Sequence, residues 1–176
     1  MRTHVKNGLT ALHDAMVEHF KAQMPWLNTV DAYKPQALGV SVVSPAVLLE
    51  VVAMRPGRRV SNGKTPVELE LAAHCILSVT TQRVEIEVCN FAALAVQFID
   101  KNRWGLGDEV EAPTEVDAYP GMFKPDEKGF ESWVVTWKQT YHLGDVALPP
   151  DYLPTDVYMG EAPAVGHGHE DDYLRG

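Results

Sequence analysis

Between Thr65 and Thr81 apolar and polar residues alternate. Val67, Leu69, Leu71, Ala73, Cys75, Leu77 and Val79 fall on one parity, and Glu68, Glu70, His74, Ser78 and Thr80 on the other. Ala72 and Ile76 are the exceptions. Period 2 over this length predicts a long strand with one packed face. A strand that long must find neighbours to satisfy its backbone groups, so the chain is a sheet builder.

Candidate neighbours lie on both sides of it in sequence. Pro45 opens the run PAVLLEVVAM, which places Val47, Leu49, Val51 and Ala53 on one face. The other face is also apolar, as in a strand covered on both sides. Phe130–Leu143 alternates as well, with Trp133, Val135, Trp137, Gln139, Tyr141 and Leu143 on one side and Ser132, Val134, Thr136, Lys138 and Thr140 on the other. Val30, Ala32 and Tyr33 predict a short strand, and Glu115–Tyr119 another. Arg55–Pro66 holds two prolines, two glycines, Arg55, Arg58, Arg59 and Lys64, and reads as an exposed basic loop between antiparallel strands.

Two segments switch to helical spacing. Val5, Leu9, Leu12, Met16, Phe20 and Met24 form one stripe, stopped by Pro25. Asn7-Gly8 delays the first turn, so the start falls between Thr3 and Leu9. Val84, Val88, Phe91, Ala95 and Phe98, with Leu94 and Ile99 beside them, predict a helix over Val84–Asn102. Thr80 or Thr81 is placed to cap it, and Gly105 and Gly107 to end it. Gly121–Gly129 reads as a turn. The predicted fold is α+β: a twisted antiparallel or mixed sheet with two main helices packed on one face.

Composition bounds the function. At 176 residues and 45% apolar content the chain is long enough for one well-packed domain, assigned to residues 1–144. Residues 145–176 hold seven acidic residues against Arg175 alone, six of the nine net negative charges, with four prolines and four glycines. That composition predicts an extended C-terminal arm with no core of its own, ordered against a neighbouring subunit or another partner. Its Tyr158, Pro163, His169 and Tyr173 are candidate contacts, because aromatic side chains anchor interfaces. The net charge of −9 argues against nonspecific DNA binding over the whole surface. Two cysteines are too few for a disulfide scaffold, and no run of 18 apolar residues predicts a membrane span. Folding in a reducing cytoplasm is expected.

Catalytic signals are sparse. His167, His169, Glu170 and Asp171 are the densest ligand-like cluster and define one reading, a metal-dependent hydrolase. Their nearly consecutive spacing between glycines favours a solvated or interface tail over a fixed metal site. His74 and Cys75 are adjacent on a strand and must point to opposite faces, so they form no dyad. No Walker A loop, GxSxG elbow or dinucleotide fingerprint is present, and no catalytic residue or cofactor is assigned. Trp133, Trp137 and Tyr141 share their face with Val135 and Leu143, which favours core packing over base stacking. Arg55, Arg58, Arg59 and Lys64 form the basic patch. It is either a solvated hairpin loop or an electrostatic contact with an acidic partner or with passing DNA.

Three stretches carry a family likeness. They are PAVLLEVVAMRPGRRVSNGKTPVELELAAHCIL, the following VEIEVCNFAALAVQFIDKNRWG, and ESWVVTWKQTYHLG together with the late VYMGEAPAVGHGHEDDYLRG. With the first helix they span nearly the whole chain, and the insertion-like piece around Ala112–Gly129 is its least familiar part. The sequence resembles the tail terminator, or tail completion, proteins of long-tailed phages, in particular the minor tail proteins of Mu-like phages and prophages. The resemblance implies a small, non-enzymatic α+β protein made in the host cytoplasm. It would close into a hexameric ring at the head-proximal end of the virion tail. The ring would cap the tail tube protein, end its polymerisation and meet the head–tail connector, while DNA passes through without specific binding. A head-completion or neck adaptor protein is the neighbouring alternative.

Overall fold

The computed structural model describes residues 8–33, 42–60, 63–121 and 129–144, and the backbone of 158–159 and 174–175. Two compact units divide the chain, Met1–Asp145 and Val146–Gly176. The first is α+β. In chain order its elements are helix α1 (Thr10–Gln23), strands β1 (Thr29–Ala32), β2 (Ala46–Pro56) and β3 (Thr65–Ser78), helix α2 (Val84–Ile99), and strands β4 (Thr114–Pro120) and β5 (Phe130–Leu143). In the second unit β6 (Tyr158–Met159) pairs antiparallel with β7 (Leu174–Arg175).

The five-stranded sheet runs β1-β2-β3-β5-β4. β1 lies parallel to β2, and the other pairs are antiparallel, which makes the sheet mixed. β3 is central, in register with β5 over its whole length from Thr65↔Leu143 to Ser78↔Phe130. The predicted parity holds: Leu69, Leu71, Ala73, Cys75 and Leu77 enter one core with Val47, Leu49, Val135, Trp137 and Tyr141. Leu12, Met16 and Phe20 of α1 and Val84, Val88, Phe91, Ala95 and Ile99 of α2 pack into that same core, so both helices cover one face. The two exceptions to the alternation, Ala72 and Ile76, are buried on the opposite face, where Ile76 joins Ala46 and Leu48 in a smaller cluster.

Several boundaries differ from those read in the sequence. β3 stops at Ser78 rather than Thr81, because a turn closes there: Thr81 N–H donates to Ser78 O, and the Ser78 and Thr80 hydroxyls pair at 2.8 Å. Val79, placed on the packed parity, is consequently exposed. Neither Thr80 nor Thr81 caps α2. Its N-cap is Arg83, left-handed at φ 57°, with no side-chain cap. Glu85 and Glu87 in the first turn instead complement the positive end of the helix dipole. α1 begins at Thr10, and Val5 of its predicted stripe lies outside the described residues. Leu94, read as flanking the stripe of α2, is exposed.

α2 ends at Ile99, three residues before the predicted stop. The chain then passes through left-handed Lys101, Trp104 and Gly105. Trp104 turns into the core and is almost fully buried. Its indole N–H donates to Gln139 Oε1 at 2.8 Å, and Gln139 Nε2 donates to the backbone carbonyls of Asn102 and Glu111. One amide therefore ties this loop to β5.

A bulge between Val51 and Ala53 overturns the prediction that Val47, Leu49, Val51 and Ala53 share a face. Val51 is partnered with Leu71, but Ala53 with Glu70 and Arg55 with Glu68. The extra residue flips the parity of the rest of the strand. Val51 itself is 41% exposed, because it lies at the margin of the core.

Candidate interaction surface

The bulge determines where the first basic residue points. With unbroken alternation Arg55 would lie on the helix-covered face; with one extra residue it lies over Glu68 and Glu70. Its guanidinium stands 3.9 Å from Glu68 and 3.6 Å from Glu70. These groups are substantially exposed, so the pairs orient the side chain more than they stabilise the fold. Arg55 is thus a strand residue. The connection between the strands is shorter than the predicted Arg55–Pro66 loop, because β2 runs to Pro56 and β3 begins at Thr65.

The remaining basic residues divide into two kinds. Lys64 lies 3.7 Å from Glu109 and is only 16% exposed, so its charge is engaged. Arg58 and Arg59 are exposed, and among the described residues neither has an ion-pair partner. They line a groove of about 690 Å³ with Gly57, Val60, Glu68, Glu111 and Thr140. Both carboxylates of that groove have other partners: Glu68 faces Arg55, and Glu111 bonds His142 Nε2 at 2.9 Å. Gly57 N–H donates to Pro66 O at 2.9 Å, which closes the hairpin end that presents the two arginines.

The face opposite the helices continues this charged lattice. Lys138, beside Glu70 in register, reaches Glu115 at 2.6 Å. The hydrogen bond to Glu115 holds the Lys138 ammonium above its ordinary pKa, with the carboxylate charge adding to it. Nearer β1, His74 Nε2 meets Glu50 at 2.7 Å, and the Tyr33 ring stacks on the imidazole at a centroid distance of 4.4 Å. His74 and Cys75 are separated by the sheet, as strand alternation requires. Burial pushes the Cys75 thiol up to about 12, so at neutral pH it is a protonated core side chain and no nucleophile. Trp133, Trp137 and Tyr141 pack against or within the helix-side core, in agreement with the packing reading of their face.

Among the described residues no group of three His, Cys, Asp or Glu side chains could hold a metal ion. His167, His169, Glu170 and Asp171 lie outside the described residues, as do Pro163 and Tyr173 and the side chain of Tyr158. No described helix is long and apolar enough to cross a membrane. Of the eight candidate contacts, the fold brings Arg55, Arg58, Arg59 and Lys64 to one end of one hairpin. Sequence reasoning missed the difference among them, because the acidic partners Glu68, Glu70 and Glu109 come from elsewhere in the chain. It also missed Gln139 as a tie between segments; an amide on an otherwise aromatic and apolar strand face was the available signal. No protein-family model matches the chain, and the search of curated proteins finds no significant match.

Proposed function

We propose that this chain is a structural virion protein, a tail terminator that closes as a ring on the end of a phage tail tube. There it ends tube polymerisation and offers a surface for joining the head. The observation that carries this reading is the succession of basic hairpin, apolar helix and aromatic strand, in which the sequence resembles that family. The α+β fold with both helices on one face agrees with the architecture the resemblance implies. The ring is proposed as a hexamer that assembles on the tail. DNA passes through it, and the excess of acidic residues suits a passage that repels the phosphate backbone.

Electron microscopy of particles from a phage lacking the protein tests this. Abnormally long tails are the expected result. Normal free tails beside empty or leaking heads would instead identify a neck adaptor, and intact virions with tails of normal length would overturn both readings. Equilibrium dialysis with zinc and manganese tests the hydrolase alternative: metal binding that is lost in His167→Ala and His169→Ala would bring it forward.

A further inference from the structure

The hairpin end and the start of α2 carry opposite surplus charge at opposite ends of one rigid strand. β3 has 14 residues and spans about 43 Å at about 3.3 Å per residue. At its Thr65 end lie Arg58 and Arg59, followed by Val60, an apolar residue left 40% exposed. At its Ser78 end the chain turns into α2, whose first residues include Glu85, Ile86 and Glu87. Ile86 is 45% exposed, and both glutamates are exposed with no ion-pair partner among the described residues. Glu131, partnered with Leu77 in the sheet, adds an exposed carboxylate at this end, and Arg83 offsets part of the negative charge. Each end thus presents exposed apolar surface beside two like charges, and the signs are opposite.

We propose that these ends meet between two copies of this chain: the Arg58-Arg59-Val60 hairpin of one copy docks on the Glu85-Ile86-Glu87 turn of the next. Charge complementarity selects a second copy as occupant, because the chain itself supplies both halves. The two surfaces cannot meet within one molecule, since β3 holds them apart. The contact joins different surfaces, so it is head-to-tail and propagates, closing into a ring where the rotation between copies allows. It deepens the ring reading by naming the surfaces that meet, and it rests on self-association alone rather than on a place in a tail.

Sedimentation velocity on the full-length chain at low and high salt tests the proposal. The wild type is expected to associate with rising concentration at low salt and to dissociate as salt screens the contact. Arg58→Glu with Arg59→Glu should weaken association by about tenfold or more, as should Glu85→Arg with Glu87→Arg, because each sets like charges against each other. An equimolar mixture of the two variants should associate again, since every contact between unlike variants is then complementary. Circular dichroism identical to wild type shows that the variants are folded. A wild type that stays monomeric at low salt, variants that associate as the wild type does, or a mixture that fails to recover would overturn the proposal. Tail length in the null phage is read independently, so failure here leaves the terminator reading standing, and normal tails there leave this contact standing.

Discussion

Trp104 and Trp137 donate their indole N–H groups to the same acceptor, Oε1 of Gln139, at 2.8 and 3.1 Å. The amide nitrogen of Gln139 donates to Asn102 O at 2.9 Å and Glu111 O at 2.8 Å. Both lone pairs and both N–H groups of a side chain with 2% exposure are therefore used. Gln139→Leu keeps the approximate volume but leaves two indole donors without their acceptor. The expected loss is about 2–5 kcal/mol, because unsatisfied buried donors cost about 1–3 kcal/mol each. Urea denaturation measures it, and a loss below about 1 kcal/mol would show that the amide is not a structural tie.

Gly129 adopts φ +72°, and a Cβ placed there would meet Val79 Cγ2 at 2.7 Å. Gly129→Ala is expected to destabilise by about 1–3 kcal/mol, from the left-handed conformation and the clash together. Adding Val79→Ala removes the clash and leaves the backbone cost, so the double variant should be more stable than the two single losses sum to. Strict additivity in a double-mutant cycle would argue against the contact.

Leu71 and Arg55 should differ sharply in their effect on stability. Leu71 is 1% exposed in the centre of the sheet, and Leu71→Asp buries a charge with no partner, so a loss of more than about 4 kcal/mol is expected. Arg55→Ala removes two exposed ion pairs and should change stability by less than about 1 kcal/mol. Thermal melts of both variants check this, and a large loss for Arg55→Ala would mean that the charged lattice holds the bulge in place.

The Cys75 thiol, raised by burial from an ordinary 9.0 to about 12, makes stability sensitive to alkali. The folded-state value lies above the unfolded one, so its contribution is intact below pH 9 and is lost as pH rises toward 12. In that window the unfolded chain ionises while the folded chain resists, at a cost of at most about 1.4 kcal/mol per pH unit. The alkaline fall should be shallower in Cys75→Ala. Thiol labelling of the native protein should modify Cys89, which is only half-buried, and reach Cys75 only on unfolding. Rapid labelling of native Cys75 would contradict its burial.

The sequence by itself determined the fold class, because the period of its apolar residues changes cleanly from 2 to 3.6 at Val84. Phe130–Leu143 has the predicted bounds, and the packed parity of β3 is correct from Leu69 to Leu77. Tertiary structure decided what periodicity does not encode. The bulge at Val52 depends on pairing between β2 and β3, and it moves Arg55 from one face to the other. Trp104 is buried because Gln139, thirty-five residues later, supplies its acceptor. Arg58 and Arg59 are surplus charges, whereas Arg55 and Lys64 are engaged, only because β3 and the turn before β4 bring carboxylates to the latter pair. Local pattern fixes which way a side chain leaves its own strand or helix; its partner is supplied by chain folded in from a distance, and that partner decides whether the charge is spent or free.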